Sequence, residues 1–320
     1  MGEERRTAVV YVLGAARGGT TIVGRVLGSL DGVAFGGELR RLWGPAQRPG
    51  RTCGCGLPLA ECEVWSRVRA ERSMDGIGDP GETVRLQRRV APRHLWWHAW
   101  RMARSSEPPP PTSEQAQYLA TLSELYLAFS RATDRNVVVD TSKKAPDAAL
   151  LRFSPSVTAY CVQVVRDPRG VVYSRRKRTT PGAASRPRPL KTLRTALHWV
   201  VTQVAADAVR RGYGRRRSLL VRYEEFADDP APILASFARL VGVPGPEGLS
   251  AGDAIAVGIG HGPDGNGRFK ASQVVLRRDD AWESELHRLD RALTTLVTYP
   301  LLRRYGLPVR TRVASRQPER

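Results

Sequence analysis

Four short runs of apolar, β-branched residues recur along the chain, and stretches with helical periodicity lie between them. Runs of this kind, bounded by turn residues or charges, are typical of strands that are buried on both faces. Strands that alternate with helices favour a parallel sheet covered by helices on both sides, which is an α/β fold with three layers. The predicted strands are Ala8–Leu13, Asn136–Val139, Val157–Val165 and Ser218–Val221, and the predicted helices are Thr21–Leu30, Ser113–Arg131, Leu190–Arg211 and Pro230–Val241.

The chain of 320 residues is long enough for one large α/β domain, and we expect a single domain over residues 1–320. Residues 53–135 carry no clear strand pattern and are rich in arginine and tryptophan, so we expect a mainly helical insertion over the sheet. Residues 107–113 and 179–189 are predicted loops, because proline lacks a backbone donor and fixes φ. Residues 310–320 are predicted to form a basic tail.

The net charge is +20, yet only five of the 51 basic residues are lysines. Such an arginine bias is typical of a GC-rich genome, which weakens charge as an indicator of function. The positive field still favours anionic ligands such as nucleotides, nucleic acids or anionic membrane surfaces. No apolar stretch reaches the ~18 residues of a spanning helix, and the first residues lack the pattern of a signal peptide. The sequence therefore predicts a cytoplasmic protein.

Three of the four cysteines lie close together in the insertion, at Cys53, Cys55 and Cys62. A metal site completed by His94 or His98 is one interpretation, but the Cys-x-Cys spacing fits no common zinc pattern. We therefore favour a tight loop built on glycine and proline, and we predict no metal ligands. The fourth cysteine lies in a predicted strand, where the expected role is that of a small buried apolar side chain.

A glycine-rich turn joins the first predicted strand to the first predicted helix. Glycines let successive backbone N–H groups point inward, and the helix N-terminus adds its positive dipole end, so such a turn can hold a phosphate. The spacing from Gly14 to Gly19 matches a P-loop, although Thr20 stands where that motif has lysine. Arg17 can supply the cation instead, and the hydroxyls of Thr20 and Thr21 can cap the helix and bind phosphate oxygens. The turn reads Gly14-Ala15-Ala16-Arg17-Gly18-Gly19-Thr20-Thr21.

A second cluster follows the predicted strand that ends at residue 165. Arg166 stands at the carboxyl end of this strand, where doubly wound sheets bind ligands. Pro168 fits the first turn of a helix that carries Ser174 two turns in. A surface arginine paired with Asp167 is the alternative interpretation of Arg166. Together, the two clusters predict a phosphate-binding site at one edge of the sheet.

These motifs resemble those of the sulfotransferases that use 3′-phosphoadenosine 5′-phosphosulfate (PAPS). The 5′-phosphosulfate loop of that family is similar to Arg17-Gly18-Gly19-Thr20-Thr21. Its 3′-phosphate site pairs an arginine with a serine eight residues on, as Arg166 and Ser174 stand here. Three later runs also match family segments: Arg222-Tyr223-Glu224-Glu225-Phe226, whose tyrosine lies near the adenine, Gly265-Asn266-Gly267-Arg268-Phe269, which closes over the 3′-phosphate, and Asp280-Ala281-Trp282.

The resemblance extends over about residues 9–282 and implies a P-loop-like fold with PAPS as co-substrate. It implies binding roles for the loop residues, Arg166, Ser174, Tyr223, Asn266 and Arg268. The late loop is one residue shorter than the usual Gly-Asn-x-x-Arg run of bacterial members. The catalytic histidine of the cytosolic small-molecule branch has no counterpart near Lys143.

Glu38 follows Arg17 by 21 residues and resembles the catalytic glutamate of the tyrosylprotein and carbohydrate-type branches. In the implied reaction a planar SO₃ group passes in line between two oxygens, so positioning and charge stabilisation dominate. Glu38 would take the acceptor proton, and Lys143 would neutralise the oxygen left on the nucleotide. No metal is required. The alternative for Glu38 is a surface carboxylate paired with Arg40 or Arg41.

Two other functions remain open at this point. A P-loop kinase or NTPase is supported by Val137-Val138-Val139-Asp140, which resembles a Walker B strand, but the loop lacks the phosphate-binding lysine. A nucleic-acid-binding protein is supported by the basic and aromatic run at residues 93–101, although Trp96, Trp97 and Trp100 also fit one buried helix face. We expect no nucleic-acid partner. The expected acceptor is a hydroxyl of a small molecule, glycan or lipid, with peripheral membrane contact in the lipid case; the sequence indicates no oligomeric state.

Overall fold

The computed structural model describes residues 6–44, 51–70, 79–90, 110–179, 186–246, 252, 254–263 and 272–309. A five-stranded parallel sheet in the order β2-β3-β1-β4-β5 runs through this part of the chain, and helices cover both of its faces. The predicted three-layer α/β fold is thus confirmed. The strands are β1 Ala8–Gly14, β2 Val33–Gly37, β3 Val137–Asp140, β4 Thr158–Val165 and β5 Ser218–Arg222.

The helices form the outer layers and connect the strands. In chain order they are α1 Thr20–Leu27, α2 Glu63–Ala70, α3 Pro80–Val90, α4 Ser113–Thr133, α5 Ala145–Leu151, α6 Pro168–Thr179, α7 Pro189–Tyr213, α8 Tyr223–Asp228, α9 Ala231–Val241, α10 Trp282–Glu285 and α11 Arg288–Tyr305. The long helix α4 begins where Thr112 and Gln115 form a capping box. Within the described residues, no helix combines the length and the apolar character needed to cross a membrane.

The central strand β1 explains the two cores, because all seven of its residues are buried. Val9 and Tyr11 face a core that includes residues of α4, α5, α7 and of the insertion helices α2 and α3. Val10 and Val12 face the opposite core, which includes residues of α1 and α9. Alternate side chains of one strand therefore enter two apolar layers, as expected for a strand between helices on both sides.

The sequence analysis missed strand β2, which pairs in parallel with β3 at one edge of the sheet. Its run Val-Ala-Phe-Gly-Gly has only three apolar residues before two glycines, and glycine is depleted in strands. All five residues are buried, so tertiary packing outweighs the weak local preference. The short antiparallel pair of β6 Ala254–Ala256 and β7 Gln273–Val275 was also missed.

Candidate active site

The carboxyl ends of the parallel strands meet at one edge of the sheet, where ligands bind in folds of this type. Every described candidate residue except Ser174 lies in the short segment that follows one of these ends. The glycine-rich loop follows β1, Glu38 follows β2, Lys143 follows β3, Arg166 follows β4 and Tyr223 follows β5. The topology thus brings residues from distant parts of the sequence to one edge.

The glycine-rich loop turns sharply between β1 and α1. Arg17 and Gly19 both have positive φ, at 71° and 84°, and the Gly18 N–H donates to the Ala15 carbonyl at 2.9 Å. A Cβ atom on Gly19 would collide with the ring of Tyr223, and one on Gly14 would lie 2.7 Å from the Val164 carbonyl oxygen. The loop can therefore follow this path only with glycine at these two positions, and it leaves a concave backbone surface of the kind that holds phosphates.

The start of α1 differs from the sequence prediction. The helix begins at Thr20, and Gly19 is the N-cap residue, with no side chain capping the helix. The predicted cap at Thr20 or Thr21 is therefore wrong. The reason is the left-handed conformation of Gly19, which carries the chain into the helix one residue earlier and places Thr20 inside the first turn, where it is 3% exposed.

Direct contacts join the two predicted phosphate-binding clusters. Arg17 Nε donates to the Ser174 hydroxyl at 3.3 Å, so the loop after β1 contacts helix α6. Arg166 Nη1 donates to the Arg17 carbonyl at 3.1 Å. Pro168 opens α6, as predicted. Two cations and one hydroxyl therefore meet beside the glycine-rich loop, and this arrangement suits a ligand with more than one phosphate or sulfate group.

Arg166 is held by partners that the sequence analysis did not identify. Its guanidinium lies 4.9 Å from the centroid of the Tyr223 ring and donates to Asp279 Oδ2 at 3.0 Å. The pairing of Arg166 with Asp167 is not observed, because Asp167 binds Arg169 instead, at 2.6 Å. Arg166 is only 7% exposed, so its orientation is fixed by these contacts. Because Asp279 already binds this guanidinium, an anionic ligand at Arg166 would compete with that carboxylate.

Glu224 is a further acidic residue at this edge that the analysis did not select as a site residue. One of its carboxylate oxygens accepts from the Asp167 N–H at 2.8 Å. The other is buried and has no hydrogen-bond partner in the part of the chain that the structure describes. Burial raises the pKa of Glu224 above its usual value. The first contact ties the end of β5 to the start of α6 and so helps to position Arg166.

Glu38 and Lys143 form the second part of the site. Lys143 Nζ lies 2.6 Å from Glu38 Oε1 and also donates to the Thr141 carbonyl at 2.7 Å. Lys143 has a positive φ of 63°, a conformation that is uncommon for lysine and that turns its side chain back toward the end of β2. Glu38 also lies 3.5 Å from Arg41, as the alternative interpretation expected, whereas Arg40 pairs with Asp147. A carboxylate and an ammonium group thus stand in contact at the sheet edge.

Asp140 ends β3 and was considered as a magnesium ligand in the kinase hypothesis. It is fully buried and accepts hydrogen bonds from the Tyr126 hydroxyl at 2.7 Å and from the Ser142 N–H and hydroxyl at 2.7 and 2.5 Å. Burial raises its pKa from 3.8 to about 6. A carboxylate that is enclosed by three donors is suited to fixing the turn after β3, and this observation argues against a magnesium site.

A cavity of 90 Å³ opens beside Glu38. The walls come from the first turn of α1, the end of β2, the turn after β3 and two loops that are far apart in sequence. The buried hydroxyl of Thr141 faces no hydrogen-bond partner among the described residues, although it lies in the cavity wall. This space adjoins both the phosphate loop and the Glu38–Lys143 pair. The lining residues are Thr21, Phe35, Gly37, Glu38, Arg41, Gly54, Thr141, Gly260, Gly262 and Pro263.

Several predicted features lie outside the described residues. Among them are Asn266 and Arg268 of the late loop, the tryptophan-rich run at residues 93–101 with His94 and His98, and the tail at residues 310–320. The segment just before the late loop is described. It contributes Gly262 and Pro263 to the cavity wall, and no sequence pattern pointed to these residues.

The chain is similar to several solved sulfotransferase structures. The sulfotransferase domain from the curacin biosynthetic pathway superposes with a TM-score of 0.52 at 14% identity, over 94% of this chain and 99% of that domain. The sulfotransferase domain of the Synechococcus olefin synthase gives a TM-score of 0.43 at 18% identity, over 96% and 98% of the two chains. A sulfotransferase from Alicyclobacillus acidocaldarius gives 0.41 at 12% identity, over 93% and 96%. None of the curated proteins matches this sequence.

A family model gives the decisive match. The model described as "Sulfotransferase family" matches residues 9–247, which include the glycine-rich loop, Glu38, Lys143, Arg166 and Tyr223. This range covers most of the chain and four of the five parallel strands completely, with the fifth from its second residue. Transfer of a sulfuryl group is the activity that this membership supports. The chain belongs to the sulfotransferase family.

Proposed function

We propose that this protein transfers a sulfuryl group from PAPS to a hydroxyl of a small-molecule, glycan or lipid acceptor. The observation that carries the proposal is the meeting of Arg17, Arg166 and Ser174 beside a glycine loop, with the Glu38–Lys143 pair at the same sheet edge. A donor with a 5′-phosphosulfate and a 3′-phosphate needs two anion sites. The acceptor hydroxyl needs a base.

The glycine-rich loop and the first turn of α1 would hold the phosphosulfate. The backbone supports the fit, because Val164 and Tyr223 leave no room for a side chain at Gly14 or Gly19, and glycine lets the loop curl with its N–H groups inward. Arg17, Thr20 and Thr21 would add a cation and hydroxyls at the positive end of the α1 dipole. Positioning of this kind accounts for most of the rate in transfers through a planar group.

Arg166 and Ser174 would bind the 3′-phosphate, and Tyr223 would lie near the adenine. The cation–π contact between Arg166 and Tyr223 supports this pairing, because it holds the guanidinium in one orientation. Asp279 would release Arg166 when the phosphate binds. Asn266 and Arg268 remain candidates for the same phosphate by family resemblance.

Glu38 would accept the proton of the acceptor hydroxyl, and Lys143 would stabilise the oxygen on which the nucleotide leaves. The distance of 2.6 Å between their side chains supports a shared role, because the ammonium can move between the carboxylate and the leaving oxygen. The cavity of 90 Å³ is far smaller than pockets of about 300–1,000 Å³ that enclose whole ligands. It would therefore receive the hydroxyl-bearing end of the acceptor. This mechanism requires neither a metal ion nor a nucleic acid.

Isothermal titration with 3′,5′-adenosine bisphosphate, the product of PAPS, tests the donor site. We expect metal-independent binding that Arg166→Ala weakens about 10- to 100-fold, because charge-assisted hydrogen bonds are lost. Arg239→Ala is the matched control, because this arginine lies on α9, away from the sheet edge, and donates a long hydrogen bond of 3.5 Å to the Ser236 hydroxyl. Magnesium-dependent binding of ATP without binding of the bisphosphate would overturn the proposal in favour of a kinase.

A further inference from the structure

Three cysteines of the insertion and one histidine from the C-terminal part of the chain meet at one point. We call Cys53, Cys55, Cys62 and His261 the Cys/His cluster. The sulfur atoms and one histidine ring nitrogen all lie within 4.8 Å of one another. Nδ1 of His261 lies 3.4 Å from Cys62 Sγ and 3.7 Å from Cys53 Sγ. His261 follows Cys62 by 199 residues, so the fold and not the local sequence creates this cluster.

The spacing of these atoms fits a single tetrahedral ion. Zinc binds cysteine sulfur at about 2.3 Å and histidine nitrogen at about 2.0 Å, which sets S···N edges of about 3.5 Å and S···S edges of about 3.8 Å in a tetrahedron. The two S···N distances in the structure, 3.4 and 3.7 Å, lie on either side of the expected edge. We propose that the Cys/His cluster is a structural zinc site with three thiolate ligands and one imidazole ligand.

Other roles for these residues fit the structure less well. All three cysteines are free thiols, and a disulfide would use two of them and leave the third thiol and the histidine without a function. An iron–sulfur cluster spreads its ligands over several iron atoms, whereas these four ligand atoms converge on the space of one ion. Thiolate and imidazole ligands in a tetrahedron favour zinc over magnesium or calcium.

The main chain holds the two halves of the cluster together independently of any ion. The Gly54 N–H donates to the Gly262 carbonyl at 3.0 Å, and Cys53 forms a β-bridge with Pro263. A Cβ atom on Gly54 would collide with the Gly260 carbonyl, so the two loops are in close backbone contact. This geometry explains why the Cys53-Gly54-Cys55 sequence has a glycine between its two cysteines.

Hydrogen bonds with Trp65 and Phe35 fix the backbone of His261. Trp65 Nε1 donates to the His261 carbonyl at 2.7 Å, and the His261 N–H donates to the Phe35 carbonyl at 3.3 Å. Trp65 is 1% exposed and belongs to the same helix that begins directly after Cys62. Helix α2 therefore positions Cys62, which directly precedes its N-terminus. Trp65, in the first turn of the same helix, holds His261 through the hydrogen bond to its carbonyl. A site with fixed ligands suits a structural ion.

The zinc site would also shape the acceptor cavity. Gly54, between two ligands, and Gly262 and Pro263, directly after His261, all line the cavity beside Glu38. The ion would therefore clamp the insertion loop to the segment that precedes the late loop. Four protein ligands leave no open position for a substrate, so the ion would stabilise the wall and take no part in sulfuryl transfer.

Metal analysis of the purified, reduced full-length protein tests this inference without any sulfuryl donor or acceptor. After incubation with Zn²⁺ and removal of excess ion, we expect about one zinc per chain by mass spectrometry, and less than about a fifth of that for Cys62→Ser. Cys161→Ser is the matched control, because Cys161 is a buried cysteine of β4 that lies outside the cluster. Substitution with Co²⁺ should give the absorption bands of a tetrahedral thiolate site.

The variant His261→Cys keeps the test decisive if Cys62→Ser fails to fold. It offers four thiolates, so we expect it to bind Co²⁺ with a stronger sulfur-to-metal absorption than the original protein. A role of His261 in packing alone predicts that this absorption does not increase over that of the original protein. The inference is overturned if the reduced protein takes up no zinc, if Cys161→Ser loses as much zinc as Cys62→Ser, or if mass analysis finds a Cys53–Cys62 disulfide in the natural protein. None of these results bears on the binding of adenosine bisphosphate, so the proposed function is tested separately.

Discussion

The donor side and the acceptor side of the site lie at the same sheet edge but are assembled differently. The donor side consists of the glycine-rich loop, Arg166, Ser174 and Tyr223, and each of these follows a strand within nine residues or fewer. The acceptor side combines Glu38 with Thr141, Gly54, Gly262 and Pro263, which come from four separate segments. Two of these segments belong to the insertion loop and to the part of the chain before the late loop.

This difference shows how each side keeps its geometry. Donor residues are positioned by the sheet itself, because a strand end fixes the backbone of the next few residues. The acceptor wall depends on contacts between loops, such as the hydrogen bond from Gly54 to Gly262 and the β-bridge of Cys53 with Pro263. We therefore expect variants on the two sides to separate donor binding from acceptor use.

The largest expected effect is that of Glu38→Gln on the acceptor side. Loss of a general base lowers the rate of transfer by about 10²- to 10⁴-fold, while the affinity for adenosine bisphosphate stays within about twofold because the donor side, and not Glu38, holds the nucleotide. Transfer from radiolabelled PAPS to a panel of phenols, sugars and lipids measures the first quantity, and titration measures the second.

Glu82→Gln is the matched control for Glu38→Gln. Glu82 pairs with Arg85 on the exposed surface of α3, so we expect no change in either measurement. Full transfer activity in Glu38→Gln would remove Glu38 from the reaction and would leave its contact with Lys143 as a structural ion pair.

A smaller effect, on the donor side, is expected for Gly19→Ala. The new methyl group would collide with the Tyr223 ring in a backbone of positive φ, at a cost of about 1–3 kcal/mol, which corresponds to about 5- to 150-fold weaker binding of adenosine bisphosphate. Gly245→Ala is the control, because no atom of the described residues lies within 4 Å of the position of its Cβ atom. Unchanged binding in Gly19→Ala would show that Tyr223 moves freely and does not define the donor side.

The corresponding change on the acceptor side is Gly54→Ala. Its methyl group would push against the Gly260 carbonyl and separate the two loops of the cavity wall. We expect the KM for the acceptor to rise about three- to tenfold, for a misfit of about 1 kcal/mol, with no change in binding of adenosine bisphosphate. If binding of adenosine bisphosphate weakened as much as the acceptor KM rose, the loops would support the whole site, and the distinction between the two sides would fail.

The donor side could be predicted from the sequence to a larger extent than the acceptor side. Four of the five parallel strands carry apolar, β-branched runs, so the sequence pattern was sufficient to find them. Spacing after β1 and β4 also indicated the glycine-rich loop and Arg166, whereas Tyr223 and the binding role of Ser174 were selected by resemblance to the family. Strand β2 was missed because its pattern contains two glycines. Glu38, which directly follows β2 in the sequence, was nevertheless selected by its resemblance to the catalytic glutamate of related branches.

Sequence patterns could not predict the wall of the acceptor cavity or the four-residue Cys/His cluster. The fourth residue of the cluster lies 199 positions after Cys62, and no periodicity links two loops that meet only in the folded chain. The helix cap at Gly19 was mispredicted because glycine adopts left-handed and right-handed conformations with similar ease, so the sequence does not show which of them the fold selects.

The smallest effect on function is expected for Asp140→Asn. Asp140 ends β3, which lies in the sheet between β1 of the donor side and β2 of the acceptor side. The folded-state pKa of Asp140, about 6, is above its ordinary value of 3.8, so this group contributes stability that is present below about pH 4 and is lost as the pH rises through 6. Asparagine can keep the hydrogen bonds to Ser142 and Tyr126 without a charge. The free energy of unfolding of the natural protein should therefore fall relative to that of the variant between pH 4 and pH 7, by roughly 1–3 kcal/mol.

Chemical denaturation at several pH values measures this difference, and Asp31→Asn is the control because the Asp31 side chain is 78% exposed. A difference that does not change with pH would show that Asp140 is charged in the folded protein throughout this range. Binding of adenosine bisphosphate to Asp140→Asn should stay within about twofold, because the buried carboxylate holds the turn after β3 and contacts no ligand. A loss of nucleotide binding that depends on magnesium would instead restore Asp140 as a metal ligand and would join the two sides of the site through β3.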